Sequence, residues 1–169
     1  MTVEALASPA PTEETHRKRL ALVASKGTLD QAYPPLILAT TAASLGWEAG
    51  IYFTFFGLDI LHQERFHKLK LASLANPSGP VQLPNLLGAL PGATAAATGM
   101  MKKWMKDARM PQVPEFIEMS RELGVRFFAC STTMGVMGVK ESDLIDGCDI
   151  AGAAAFLDYA AEADVQLFI

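Results

Sequence analysis

The chain has 169 residues, half of them hydrophobic and 19% charged, with 14 basic against 18 acidic side chains for a formal net charge of −4. That length suits a single domain with a sizeable core, and the apolar content excludes a disordered chain. The charge balance lacks the basic footprint of a nucleic-acid binder, and two cysteines, Cys130 and Cys148, do not make a disulfide scaffold. The composition reads as soluble, globular and cytoplasmic.

Residues 1–18 are expected to form a flexible tail ahead of one domain over 19–169. Met1 to Thr15 holds no apolar h-region, and the charged run His16-Arg17-Lys18-Arg19 follows it, the reverse of an export signal. Arg19 to Ser25 is a short apolar run ending at Lys26-Gly27 and reads as a buried strand. Thr28-Leu29-Asp30-Gln31 offers a capping-box pattern, which conflicts with Pro34 and Pro35 further on. The following helix therefore starts near Tyr33 or has an irregular opening turn, and it closes at Gly46.

Glu48 to Phe56 reads as the second strand, with Ile51, Phe53 and Phe55 on one face and Tyr52, Thr54 and Phe56 on the other. Apolar groups on both faces suit a sheet covered on both sides. Gly57 to Lys70 looks like a turn and a short helix. From Leu71 to Met101 the chain is uncharged but carries Pro77, Pro80, Pro84 and Pro91, so it cannot form one continuous spanning helix. A helix is expected from about Ala93 to Arg109, and a short amphipathic one over Glu115–Leu123 with Phe116, Ile117, Met119 and Leu123 inward. Val125 to Ala129 is the third strand, leading into Cys130. A short helical piece lies within Ser131–Val139, Glu141–Gly147 is turn-like, Ala151–Glu162 is helical and Val165–Ile169 is a last strand. Strands alternating with helices mean a layered α/β domain with a mostly parallel sheet.

Cys130 is the candidate reactive residue. It follows a strand directly, where open parallel sheets collect ligands. Ser131, Thr132 and Thr133 are N-cap residue types, so a helix starting there offers N–H donors to a thiolate. The competing reading is an inert packing cysteine, which free cysteines often are. Cys148 sits between Asp146-Gly147 and Asp149, where carboxylates disfavour a thiolate. It reads as packing, with a role as second, resolving thiol as the alternative.

His62 and His67 miss the spacing of helical zinc pairs, and no metal site is expected. Lys26-Gly27-Thr28 lacks the leading glycine of a phosphate loop. Lys102, Lys103, Lys106 and Arg109 make a basic patch, read as a solvated helix face or as a docking surface for an acidic partner.

Several segments in order resemble the DsrE/DsrF-like sulfur-transfer family, and in particular its stand-alone DsrE-like members. They are Ser25-Lys26-Gly27, Phe53 to Leu58, the Met/Lys-rich run before Pro111, Gly124 to Cys130 with Met134 to Gly138, Asp143 to Gly147, and Ala163 to Ile169. The resemblance implies a flavodoxin-like three-layer α/β fold that assembles as a homotrimer or hexamer. It also implies a cysteine that carries sulfane sulfur as a persulfide, here Cys130, without metal or organic cofactor. Partners would be other sulfur-carrier or rhodanese-like proteins, and both catalytic sulfur transfer and stoichiometric carriage fit. Two rivals remain on the residues alone: a non-catalytic α/β oligomeric binding module with Cys130 in its core, and, with less support, a thiol peroxidase.

Overall fold

A computed structural model describes residues 16–72 and 92–169. Most of the expected tail, and most of the uncharged Pro/Gly stretch within Leu71–Met101, lie outside the described residues. Within the segment read as tail, His16 Nε2 is 3.0 Å from Asp164 Oδ1, and the Arg17 guanidinium donates to the Gly46 carbonyl at 2.9 Å.

Five strands, β1 (Arg19–Ala24), β2 (Glu48–Phe53), β3 (Arg126–Cys130), β4 (Cys148–Ala151) and β5 (Val165–Phe168), form one wholly parallel sheet in the order 4-3-2-1-5. The helices are α1 (Leu29–Ser44), α2 (Ala93–Asp107), α3 (Val113–Glu122), α4 (Ser131–Met137) and α5 (Ala153–Ala161). The three-layer α/β architecture is the expected one. Within it, β1 lies between β2 and β5, whereas flavodoxin itself runs 2-1-3-4-5.

Alternation along the strands divides the interior into two cores. Leu20, Leu22, Ile51, Phe53, Phe127 and Ala129 face α1 and α3, which add Leu29, Leu36, Phe116 and Ile117. Ala21, Tyr52, Phe128, Cys130 and Ala151 face α5, which adds Phe156, Tyr159 and Ala160. The second core is small because strand order proceeds from β1 to β4 in one direction and returns only once. Right-handed crossovers put the forward connections on one face and the single return, α5, on the other. Cys130 belongs to this smaller core.

Several boundaries differ from expectation, each for a physical reason. The first helix starts at Leu29 and runs through both prolines. Leu29, Ala32, Tyr33 and Leu36 pack on the sheet, and the Lys70 carbonyl takes the Leu29 N–H at 2.8 Å, so tertiary contacts hold turns that Pro34 and Pro35 weaken. The second strand stops at Phe53. Phe55 takes a left-handed φ of 48° and opens a 3-10 turn over Phe55–Ile60, leaving Phe55 and Phe56 exposed rather than paired across the sheet.

Pro114 does not delay α3 but sits in its first turn, where its missing N–H costs nothing. Leu123 is 43% exposed instead of inward, because α3 ends at Glu122 and Leu123 is its C-cap, beyond the buried stripe Val113-Phe116-Ile117-Ser120. Strand β4 was not anticipated at all. It has four residues with little apolar periodicity, and it forms because β3 offers its edge.

Candidate functional site

The site grows from the carboxyl ends of two neighbouring strands. In the β2–β3 register Tyr52 lies beside Phe128 and Phe53 beside Ala129, so Thr54 arrives next to Cys130. Tyr52 and Cys130 both face the smaller core, where the Tyr52 ring stacks on Phe156 with centroids 4.6 Å apart.

Cys130 ends β3 and is at the same time the N-cap of α4. Its Sγ accepts the Thr133 N–H at 3.4 Å, a thiol in the position a serine hydroxyl usually fills. Thr133 is buried, and its Oγ1 lies 3.0 Å from Thr54 Oγ1 and accepts the Phe55 N–H at 3.2 Å. Burial pushes the Cys130 thiol up. The polar groups around it, the Thr133 hydroxyl, the Tyr52 phenol, the Thr133 N–H and the Thr54 hydroxyl, outweigh it and leave the thiol lowered from 9.0 to about 7. Roughly half of such a thiol is thiolate at neutral pH, against a few per cent for an ordinary one. Tyr52 moves the other way: burial first, then the influence of Cys130, raises its phenol, so it stays protonated.

The turn that delivers Thr54 and Phe55 is clamped to the end of β1. The Thr54 N–H bonds the Ala24 carbonyl at 3.0 Å, and the Gly57 N–H bonds Thr54 at 2.9 Å and Ser25 at 3.3 Å. A Cβ on Gly57 would run into the Ala24 carbonyl oxygen, and one on Gly27 into the Phe56 carbonyl oxygen, so both positions require glycine for close backbone approach. A left-handed non-glycine residue costs about 1–2 kcal/mol. Phe55 is held in that conformation by these contacts and by its bond to Thr133.

The expected site residues separate. Thr133 meets the thiol, whereas Ser131 and Thr132 are exposed on the first turn of α4 and make no hydrogen bond to Sγ among the described residues. Cys148 begins β4 beside Phe127, three strand residues below Cys130, or about 10 Å. It packs against the larger core on the opposite face, so the fold does not bring the two thiols within disulfide reach. Burial pushes the Cys148 thiol up to about 12; Arg121 opposes the rise and the Asp149 and Asp146 carboxylates add to it. Tyr52 and Thr54 were missed as site residues. The signal that finds them is pairing, since two parallel neighbours both end in hydroxyl or thiol side chains at the same level.

The histidines do not assemble a site. His62 is buried and its Nδ1 accepts the Glu64 N–H at 3.2 Å, while His67 lies on the Phe66 ring. Among the described residues, no group of three or more His, Cys, Asp or Glu stands close enough to hold a metal, and no helix is long and apolar enough to cross a membrane.

Comparison with known proteins agrees with this architecture. The chain is 41% identical over 159 residues to the sulfur carrier protein DsrE2 of Allochromatium vinosum, covering 90% of this chain and 99% of that protein. It is 37% identical over 163 residues to the uncharacterized protein YrkE of Bacillus subtilis, covering 94% and 99%. Among solved structures it matches the ychN protein from E. coli with a TM-score of 0.55 at 13% identity, covering 90% of this chain and 99% of that one, a likeness of fold alone. The sequence profile of the DsrE/DsrF/DrsH-like family matches residues 16–168. With that match spanning nearly the whole chain, the protein belongs to the DsrE/DsrF/DrsH-like family.

Proposed function

We propose that the protein is a sulfur carrier in which Cys130 holds sulfane sulfur as a persulfide and passes it to the thiol of an acceptor protein. The observation that carries this reading is the place of Cys130 at the carboxyl end of β3, where its Sγ caps α4 and accepts the Thr133 N–H at 3.4 Å, among polar neighbours that hold the buried thiol down to about 7. Family membership and 41% identity to a protein named as a sulfur carrier support it.

Loading is a thiol exchange. The Cys130 thiolate attacks the outer sulfur of a donor persulfide, the donor S–S bond breaks, and its electron pair leaves on the donor thiolate. The outer sulfur keeps its proton, giving Cys130-S-SH. Unloading repeats the step in reverse roles, with an acceptor thiolate attacking the outer sulfur and Cys130 leaving as thiolate. Neither step changes the total electron count, so the exchange calls for no metal or organic cofactor. Hydrogen bonds that stabilise the Sγ thiolate make it easier to form for loading and easier to expel for unloading. Sulfur-carrier or rhodanese-like proteins are the fitting donors and acceptors, the cytoplasm is a compartment that keeps such thiols reduced, and a homotrimer or hexamer is the assembly we expect.

Intact-mass analysis after polysulfide treatment tests the reading. The expected result is an adduct of about 32 Da, one sulfur atom, that a reductant removes and that Cys130→Ser abolishes while Cys148→Ser retains it. An adduct that survives Cys130→Ser overturns it. The rival, a cysteine that only packs, draws on the residue's 6% exposure. Iodoacetamide labelling that stays slow in the folded protein and becomes fast only on unfolding would favour that rival.

A further inference from the structure

The segments that adjoin the Cys130 thiol carry no charge. They are residues 54–58 after β2, residues 131–139 with α4, and residues 150–157 at the end of β4 and the start of α5. None of the three holds an acidic or basic side chain, in a chain that is 19% charged. They also touch one another. The Phe55 N–H donates to Thr133 Oγ1 at 3.2 Å, and the Thr133 N–H donates to Cys130 Sγ at 3.4 Å. Ala151 pairs with Cys130 across the β3–β4 ladder, and Gly152 lies beside the Ser131 hydroxyl.

On this uncharged rim two large apolar side chains are displayed rather than buried. Phe55 is 62% exposed and Phe56 65%. Their turn is built to hold them there: Phe55 keeps a left-handed φ of 48°, and Gly27 and Gly57 admit the backbone contacts that clamp it. Strain of that kind in a bulky residue persists only where the surrounding structure enforces it, and it gathers at functional positions. Each ring carries about 200 Å² of surface, so the pair offers on the order of 250 Å² to a partner. A stable interface takes roughly 800 Å² from each side. The smaller area fits a partner that docks briefly and leaves.

We propose that Phe55 and Phe56 are the docking element for the acceptor protein, and that they take a thiol-bearing segment flanked by apolar, uncharged side chains. The proposal rests on the carrier reading of Cys130. A thiol so little exposed passes sulfur only to a partner thiol brought to its outer sulfur. Covering two phenylalanines with apolar neighbours drives that approach without ion pairs. The competing arrangement is steering by Lys26, which precedes Gly27 on the loop against the Phe56 carbonyl and would select acidic partners.

The test loads wild type, Phe56→Ser and the Phe55→Asn/Phe56→Ser double variant with polysulfide and confirms the adduct by intact mass. Sulfur transfer is then followed to three synthetic peptides, each with one cysteine flanked by leucines, by lysines or by glutamates, at matched thiolate concentration. In the transfer the peptide thiolate attacks the outer sulfur, the proton stays on that sulfur, and Sγ leaves with the bonding electron pair. Asparagine tolerates the left-handed φ at position 55, and thermal melts check that both variants keep the fold. Wild type should serve the leucine peptide about tenfold faster than either charged one, with less than about a twofold change on raising salt from roughly 0.05 to 0.5 M. The double variant should bring the leucine peptide down to the rate of the charged ones, and Phe56→Ser should lose part of the preference. Equal wild-type rates for the three peptides, or a preference that survives in the double variant, overturn the proposal. So does a glutamate preference that fades with salt, which assigns the docking to Lys26. Loss of subunits from the double variant in light scattering overturns it as well, because the rings are then covered by a second copy. Failure of wild type to load sulfur sinks the carrier reading, whereas loading without a peptide preference sinks only the docking element.

Discussion

Cys130 and Cys148 stand on adjacent strands of one sheet, and their thiols are shifted in opposite directions. Burial pushes both up. At Cys130 the Thr133 N–H bonds Sγ at 3.4 Å, and the nearby Thr133, Tyr52 and Thr54 hydroxyls help bring it down to about 7. At Cys148 the opposing help is one guanidinium, Arg121, set against two carboxylates, and the thiol rises to about 12. Reactivity here is decided by what the end of a strand meets. Cys130 is at the carboxyl end, where β2 contributes Tyr52, the turn after it Thr54, and α4 Thr133. Cys148 is at the amino end of an edge strand, packed beside Phe127 on the other face.

The largest measurable consequence is selectivity of alkylation. At pH 7 roughly half of the Cys130 thiol is ionised, against about one part in 100,000 for Cys148. Peptide mapping after brief iodoacetamide treatment of the folded protein should therefore find label on Cys130 alone. Equal labelling of the two would erase the contrast.

Stability against pH is the next effect, and the two cysteines act with opposite signs. The folded Cys130 thiol titrates below its unfolded counterpart. The unfolded chain therefore holds more protons between about pH 7 and 9, and stability rises with pH there. The gain is present above pH 9 and lost as pH falls through 7. Cys148 titrates above its unfolded counterpart, so above about pH 9 the folded chain holds the extra proton and stability falls as pH rises. Urea titrations should show Cys130→Ser losing the rise from pH 7 to 9 and Cys148→Ala losing part of the fall beyond it. If Cys130→Ser and wild type run parallel across that window, the Cys130 thiol is not depressed.

Loosening the clamp should move Cys130 toward the behaviour of Cys148. Gly57→Ala forces a methyl group against the Ala24 carbonyl, which should destabilise the fold by about 1–3 kcal/mol and raise the Cys130 labelling midpoint. Thermal melts and labelling profiles check the two parts separately. Tyr52→Phe makes the smallest change, keeping the stack on Phe156 while deleting one donor. Its labelling midpoint should rise by up to about one unit, near 1.4 kcal/mol, with little change in the melting temperature. An unmoved midpoint would remove Tyr52 from the donor set.

The alternation of apolar strands with helices made the layered α/β class legible, and the strand-end position with its following hydroxyl residues marked Cys130. Long, strongly apolar runs such as Arg19 to Ala24 and Val125 to Ala129 declare themselves because burial on both faces leaves few other conformations open. Phe55 and Phe56 misled for the same reason, since apolar side chains continue the strand pattern past the point where the backbone turns away. Thr133 was in view as a helix-start residue, but its difference from Ser131 and Thr132 was not, because it depends on which side of the first turn is buried.

What the sequence by itself determined is therefore local: which segments are strands or helices, and which cysteine follows a buried strand. What only the tertiary structure decided is adjacency. The 4-3-2-1-5 order places β2 beside β3, so Thr54 and Tyr52 reach a thiol that lies some seventy-five residues further along the chain. The same order puts β4 outside β3 and leaves Cys148 on the opposite face. Hydrogen bonds to a thiolate act over a few ångströms, and strand pairing rather than sequence distance sets which groups come that close.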